Sequence, residues 1–319
     1  MKRVAVIGEG AWGSAIALLL ANNGLQVDLW CHDPAVAKTI AEKRKNERYF
    51  PDFTFPDNIQ PVTDFSSLQN VTYIFEAVPV RYMRSVFTHM KPYVTSEHVV
   101  IVMSKGMEND TLLFPLELIN EVLNANNAQA VLAGPSFASD LAQKNVTGVS
   151  LAVRHEVGKE IQALLNNDYF HAYITTDIPG VQAGAALKNV IALGMGIAEG
   201  AGFSDNTKAL LMTKGLEEIA SLAELLGGKR ETIYGLSGVG DLFLSSMCSQ
   251  GRNASLGREI GAGNRLADIN TRTGVLPESA NTLKSLYQLM SKRGLTMPLC
   301  EKIYRVVYES ADVSSLLHS

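Results

Sequence analysis

At 319 residues, with 46% apolar and 19% charged side chains, the chain has the length of two ordinary domains and a globular composition, which excludes wholesale disorder. Its 28 Lys and Arg fall short of its 32 Asp and Glu, and the formal net charge of −4 argues against a general nucleic-acid binder. Cys31, Cys248 and Cys300 form no disulfide framework and fit a reducing cytoplasm, while the six histidines (His32, His89, His98, His155, His171, His318) show no zinc spacing.

In chain order, residues 4–7 are a β-branched run that predicts a strand, and 14–21 predict a helix stopped by Asn22-Asn23-Gly24. Residues 26–30 alternate as a second strand, after which Pro34 opens a helix at a permitted first-turn position. Pro51, Pro56 and Pro61 break up residues 45–70 into loops and short extended pieces. Alternation then resumes, with strands at 71–77, 98–103, 130–133, 146–153 and 169–175 and helices at 80–90 and 113–123. Strands separated by single helices predict parallel βαβ units and a doubly wound, mostly parallel sheet. From about residue 180 the strand signal stops, and 184–199, 207–226, 281–293 and 299–308 carry helical periodicity. The expected organisation is an α/β Rossmann domain over 1–183 and an all-α domain over 184–319.

Two stretches imitate export or membrane segments. Lys2-Arg3 precede an apolar run that Gly8, Glu9, Gly10 and Gly13 interrupt, unlike a signal peptide. Residues 183–202 are long enough to span a bilayer, but Lys188, Asn189 and Glu199 among small residues predict a buried helix of a soluble protein. A cytoplasmic location without membrane insertion is expected.

Gly8-Glu9-Gly10-Ala11-Trp12-Gly13 is a GxGxxG between a predicted strand and a predicted helix, the context a dinucleotide site requires. Gly8 permits the tight turn, Gly10 the approach of a pyrophosphate, Gly13 close helix packing, and amides from Ala11 onward face the diphosphate. At the end of the second strand, His32 stands in Trp30-Cys31-His32-Asp33 with no acid directly at the strand's end. A carboxylate there would serve a ribose 2′-OH and repel a 2′-phosphate, so NADP(H) is favoured and NAD(H) stays open through Asp33.

Ser104-Lys105-Gly106 follows a predicted strand where open α/β sheets bind ligands; Lys105 reads as an anion contact or as a solvated loop cation. Ser136 of Gly134-Pro135-Ser136-Phe137-Ala138 reads as a ligand contact or a helix cap. Lys188, in a helix with little other charge, reads as a buried lysine of lowered pKa suited to proton transfer, or as a lysine that snorkels to water. Asp241 in Gly238-Val239-Gly240-Asp241-Leu242 is a site carboxylate or an N-cap, and Gly251-Arg252-Asn253 suits a phosphate or is an exposed loop arginine.

Taken as an ordered set over residues 8–253, these motifs resemble the NAD(P)-dependent sn-glycerol-3-phosphate dehydrogenase family, its bacterial biosynthetic branch above all. The resemblance implies reversible reduction of dihydroxyacetone phosphate to sn-glycerol 3-phosphate, supplying the backbone of phospholipids, by a Rossmann domain followed by a helical domain. It implies Lys188 as proton donor, Asp241 as the carboxylate that orients it, Asn189 as a nearby hydrogen-bond partner, and Lys105 between nicotinamide and substrate. Arg252 and Asn253 would grip the phosphate, with Gly134, Ser136, Ala138 and Gly251 lining the cleft. Cofactor contacts would come from Gly8, Gly10, Ala11, Trp12, Gly13, His32, Lys105, Ala138, Arg252, Leu276 and Glu278. Gly251 departs from the family's usual serine, Ser279 from its usual glycine, and Ser14 from a common threonine. No metal and no nucleic acid are expected; the partner is a phosphorylated triose, with a homodimer left open. The alternatives are another Rossmann-plus-helical keto-acid reductase, or a protein that senses NADP(H) without chemistry.

Overall fold

The structure, a computed structural model, describes residues 2–124, 126–154, 156–248, 251–274 and 276–317; His155 and His318 lie outside them. The chain forms two compact units, Met1–Ser104 with Pro115–Ile178, and Lys105–Phe114 with Pro179–Ser319.

The first unit contains strands β1 (Arg3–Ile7), β2 (Gln26–Trp30), β3 (Lys45–Asn46), β4 (Phe50–Thr54), β5 (Ile59–Val62), β6 (Tyr73–Glu76), β7 (Val99–Val102), β8 (Ala128–Ala133), β9 (Thr147–Val153) and β10 (Phe170–Thr175). Its helices are α1 (Ala11–Asn22), α2 (Pro34–Lys43), α3 (Val80–Met90), α4 (Pro115–Leu123), α5 (Ala138–Ala142) and α6 (Gly158–Leu165). Eight strands form one sheet in the order β10-β9-β8-β7-β6-β1-β2-β5, and β3 and β4 pair separately. Runs such as Val99-Val100-Ile101-Val102 are buried on both faces, as parallel strands sandwiched between helices must be. From β1 the chain runs outward through β2 to β5 and then returns to β6 on the other side, making β1 the switch point beside which such sheets bind ligands. The sheet is mostly parallel, as expected, with one exception: β8 and β9 are antiparallel. The intervening α5 is only about 8 Å long at ~1.5 Å per residue, too short to carry the chain back along β8 for a parallel return.

The second unit is helical: α7 (Ile178–Gly200), α8 (Asp205–Leu225), α9 (Asp241–Met247), α10 (Arg252–Gly261), α11 (Leu266–Thr273), α12 (Glu278–Arg293) and α13 (Pro298–Glu309). α7 has the length and apolar character of a membrane span, yet 94% of its most apolar window is buried inside the protein. Small residues make that burial close. A Cβ on Gly196 would lie 2.1 Å from the Ala254 carbonyl oxygen and one on Gly200 2.2 Å from that of Arg258. From the facing helix, Gly257 and Gly261 approach the Leu193 and Ile197 carbonyls to 2.2 and 2.1 Å on the same construction. α7 and α10 therefore touch backbone to backbone.

The division expected after residue 183 falls inside α7; the units part at Ile178, where that helix starts. Residues 105–114, which no periodicity separates from their neighbours, join the helical unit because Met107, Leu112 and Phe114 are buried in its core.

Candidate functional site

In the first unit, the turn between β1 and α1 is built for close approach. Gly8 has φ +114°, and a Cβ there would lie 2.8 Å from the Ala77 carbonyl oxygen at the end of β6. A Cβ on Gly13 would fall 1.9 Å from the Gly8 carbonyl oxygen, so α1 can sit on the turn only with glycine there. Gly10 differs: nothing lies within 4 Å of its Cβ position, leaving open space in front of the first turn of α1. The N–H groups of Ala11, Trp12 and Gly13 have no partner within the helix, whose first backbone bond is Ser14 N–H to Gly10 C=O at 2.9 Å. Open space facing unpaired amides at a helix N-terminus fits the diphosphate of a dinucleotide.

At the neighbouring end of β2, His32 is exposed and its ring lies tilted 6.0 Å from that of Trp30. The group that organises this corner is Glu9, whose carboxylate accepts the backbone N–H of His32 (3.1 Å) and of Asp33 (3.2 Å). Asp33 itself caps α2 through Ala35 N–H and pairs with Arg48 at 2.7 Å. A carboxylate therefore does reach the end of the second strand, supplied by the glycine turn through space.

Two strand ends of this unit carry further polar structure. Glu76, fully buried at the end of β6, accepts the Val78 N–H (2.6 Å), the Ser104 hydroxyl (2.7 Å) and the Ser104 N–H (3.2 Å). Burial, only partly offset by these hydrogen bonds, pushes its carboxyl up to about 7. After β8, Ser136 donates its hydroxyl to the Gly134 carbonyl at 3.0 Å, and Phe137, with no side-chain cap, occupies the N-cap of α5. The capping alternative for Ser136 is therefore not realised. Ala138 is the first residue of α5.

The second unit holds a buried ionic cluster. Lys188, on α7, donates from Nζ to Asp241 Oδ1 at 2.8 Å and to Ser245 Oγ at 2.6 Å, with its side chain 8% exposed. The snorkelling alternative is thereby ruled out: the ammonium points inward. Lys105 pairs with the other oxygen, Asp241 Oδ2, at 2.6 Å, which removes the solvated-cation alternative for that residue. Asp241 opens α9 directly after a wide π-type turn at Leu236–Gly240, and the N-cap position is Gly240, so the carboxylate is free to serve the lysines. Burial holds Lys188 down to about 8; Asp241 opposes this, and the positive charges of Lys105 and Arg252 reinforce it. Burial works against the Asp241 carboxylate too, but the two ammonium groups outweigh it and leave the carboxyl below its usual range.

Beside this cluster, Asn253 donates to Asn189 Oδ1 at 2.9 Å and accepts the Ser279 N–H at 3.4 Å. Arg252 is exposed at the start of α10. Gly251 is explained by its neighbour: a Cβ would stand 2.6 Å from the Ser245 carbonyl oxygen, so a serine there would push against the residue that holds Lys188. The Ser279 hydroxyl is buried without a hydrogen-bond partner among the described residues. Glu278 begins α12, and Leu276 lines a groove with Arg265, Asn270 and Val306. No cluster of three or more metal-ligating side chains occurs among the described residues.

Sequence reasoning missed Glu9, Glu76 and Ser245. Ser245 lies four residues after Asp241, one helical turn on the same face, a signal readable once α9 is recognised as a helix. Glu9 was visible as a charged side chain inside a glycine turn, but its direction belongs to the folded backbone.

Two family profiles match the chain: the NAD-dependent glycerol-3-phosphate dehydrogenase N-terminus over residues 3–158 and the C-terminus over 177–318. A glycerol-3-phosphate dehydrogenase [NAD(P)+] from Levilactobacillus brevis is 39% identical, covering 99% of this chain and 96% of that protein. The crystal structure of glycerol-3-phosphate dehydrogenase from Coxiella burnetii superposes with a TM-score of 0.94 at 31% identity, covering 100% of this chain and 99% of the other. The glycerol-3-phosphate dehydrogenase of Saccharomyces cerevisiae gives a TM-score of 0.85 at 28% identity, covering 99% and 98%.

Proposed function

The chain belongs to the NAD-dependent glycerol-3-phosphate dehydrogenase family, and from that premise we propose that it reduces dihydroxyacetone phosphate reversibly to sn-glycerol 3-phosphate, with Lys188 as proton donor. It is an oxidoreductase that works with a nicotinamide cofactor, and its product would serve as a phospholipid backbone. The observation that carries the assignment of roles is the buried Lys188–Asp241–Lys105 cluster.

Reduction adds a hydride to the carbonyl carbon and a proton to its oxygen; the nicotinamide, when bound, supplies the hydride. Gly8, Gly10, Ala11, Trp12 and Gly13 would hold its diphosphate, with Ala138, Leu276 and Glu278 as further contacts. The Lys188 ammonium has three N–H bonds, and Asp241 and Ser245 take two. The third is left for the carbonyl oxygen. A pKa near 8 keeps Lys188 mainly protonated at neutral pH while easing release of the proton. Once Lys188 is neutral, the Ser245 hydroxyl can reverse its bond and donate to the amine. Asp241 stays ionised throughout and fixes both lysines in place.

Arg252 and the first-turn amides of α10 would take the substrate phosphate, assisted by the second N–H of the Asn253 amide. Asn189 acts through Asn253, whose orientation it fixes. Gly134 and Ser136 complete the proposed substrate contacts.

The test is a spectrophotometric assay of dihydroxyacetone phosphate with NADH and NADPH in parallel. Lys188→Ala should lower kcat by about 10²–10⁴, the usual contribution of a positioned acid. Arg252→Ala should raise KM for the phosphorylated substrate more than KM for the cofactor. Turnover indifferent to Lys188→Ala would remove that residue from its role, and activity confined to unphosphorylated keto acids would overturn the substrate.

A further inference from the structure

Glu9 takes no part in the proton transfer, yet it is 7% exposed and doubly hydrogen-bonded within the glycine turn. In a doubly wound sheet the end of the second strand is where a carboxylate accepts the 2′-OH of the adenosine ribose, or where a 2′-phosphate is accommodated. A 2′-phosphate in that place needs hydrogen-bond donors and a field that is not negative. The two backbone donors there, His32 N–H and Asp33 N–H, are both occupied by Glu9.

The surrounding charges point the same way. Asp33 adds a second carboxylate, and the guanidinium that pairs with it among the described residues, that of Arg48, stands 2.7 Å from Asp33 and 5.1 Å from the Tyr49 ring centre. Cys31, between strand and corner, lies in the same field: burial first, then the negative charges of Glu9 and Asp33, push its thiol up to about 12. Two carboxylates against one paired guanidinium leave this corner net negative.

We propose that Glu9 makes the adenosine-ribose corner selective for NAD(H) over NADP(H), by accepting the ribose 2′-OH and denying a 2′-phosphate both the amides and a neutral field. The inference rests on the reading that a dinucleotide lies along the turn from Gly8 to Gly13. It reverses the preference drawn from His32 alone, because the acid missing from the strand in sequence is delivered from the turn in space.

The experiment compares NADH and NADPH on wild type, Glu9→Gln and Glu9→Ala, by steady-state kinetics with dihydroxyacetone phosphate and by fluorescence titration of each dinucleotide without substrate. Wild type should favour NADH at least tenfold in kcat/KM. Both variants should shift the NADPH-to-NADH ratio tenfold or more toward NADPH, chiefly through KM, and the dissociation constants should move in parallel. Glutamine keeps the shape and removes the charge, so it reports even if alanine loosens the turn. A wild type that prefers NADPH, or ratios in both variants within threefold of wild type, would overturn the role of Glu9 while leaving the dinucleotide reading intact. A wild type that binds neither dinucleotide would overturn that reading and the selectivity with it.

Discussion

At the scale of single residues, the proposed chemistry depends on how one carboxylate is shared between two ammonium groups. Asp241 stabilises the charged form of Lys188, while burial, Lys105 and Arg252 destabilise it, and the balance lies near 8. The sign of the pH dependence follows. Reduction needs the ammonium and should decline as pH rises through about 8, whereas oxidation of the alcohol needs the amine and should rise through the same range. Replacing Lys105 by Met removes a positive neighbour and leaves Asp241 to Lys188 alone, so the break should move upward. It can be read from the pH profile of the variant's residual kcat/KM; a break that stays or moves downward would show that Lys105 does not tune Lys188. Much of this cluster was legible beforehand. Lys188 stands out as a charge among small residues, and Asp241 as a carboxylate on a glycine-rich turn. Whether Lys188 pointed inward or toward water was not legible, because that depends on Ser245 and Asp241 arriving from another helix.

At the scale of elements, glycine spacing decides how closely helices pack. Gly196 and Gly200 on α7 and Gly257 and Gly261 on α10 recur at intervals of four, placing each pair on one face of its helix. The atoms that a Cβ on Gly257 would meet are backbone, 2.2 Å away, and they cannot rotate aside. Gly257→Ala should therefore destabilise the helical unit by about 1–3 kcal/mol or more, the usual cost of overpacking. In a domain of this size that is a fall in Tm of about 2–4 °C per kcal/mol. An unchanged Tm by calorimetry would mean the two helices can separate freely. The buried β-branched strands were readable because parallel strands covered on both faces are continuously apolar. The short helices α5, α6, α9 and α11 were not, since one or two turns hold too few positions to establish a period. Nor was the antiparallel β9, because strand direction follows from the length of α5 and not from the pattern of β9 itself.

At the scale of the whole molecule, each unit has its own hydrophobic core and its own part of the proposed chemistry. The turn proposed to hold the dinucleotide belongs to the first unit and the Lys188 cluster to the second. The chain passes between units after Ser104, after Phe114 and after Ile178, and the excursion of residues 105–114 brings Lys105 to Asp241. That excursion was invisible in sequence because a ten-residue loop with no period carries no mark of which core it joins. The division of labour predicts how ligands protect the backbone. NADH at about 100 times its Kd stabilises whatever must fold to bind it by about 2.7 kcal/mol, which slows exchange through unfolding about a hundredfold. By hydrogen exchange with mass spectrometry, the amides of Ala11, Trp12, Gly13, His32 and Asp33 should be among those protected by NADH. Glycerol 3-phosphate should instead protect the first turn of α10 and the segment carrying Lys188 and Asn189. Protection by NADH that spares residues 11–13 would place the diphosphate elsewhere. Protection by glycerol 3-phosphate that spares α10 would detach the phosphate from Arg252 and require another anion site in the helical unit.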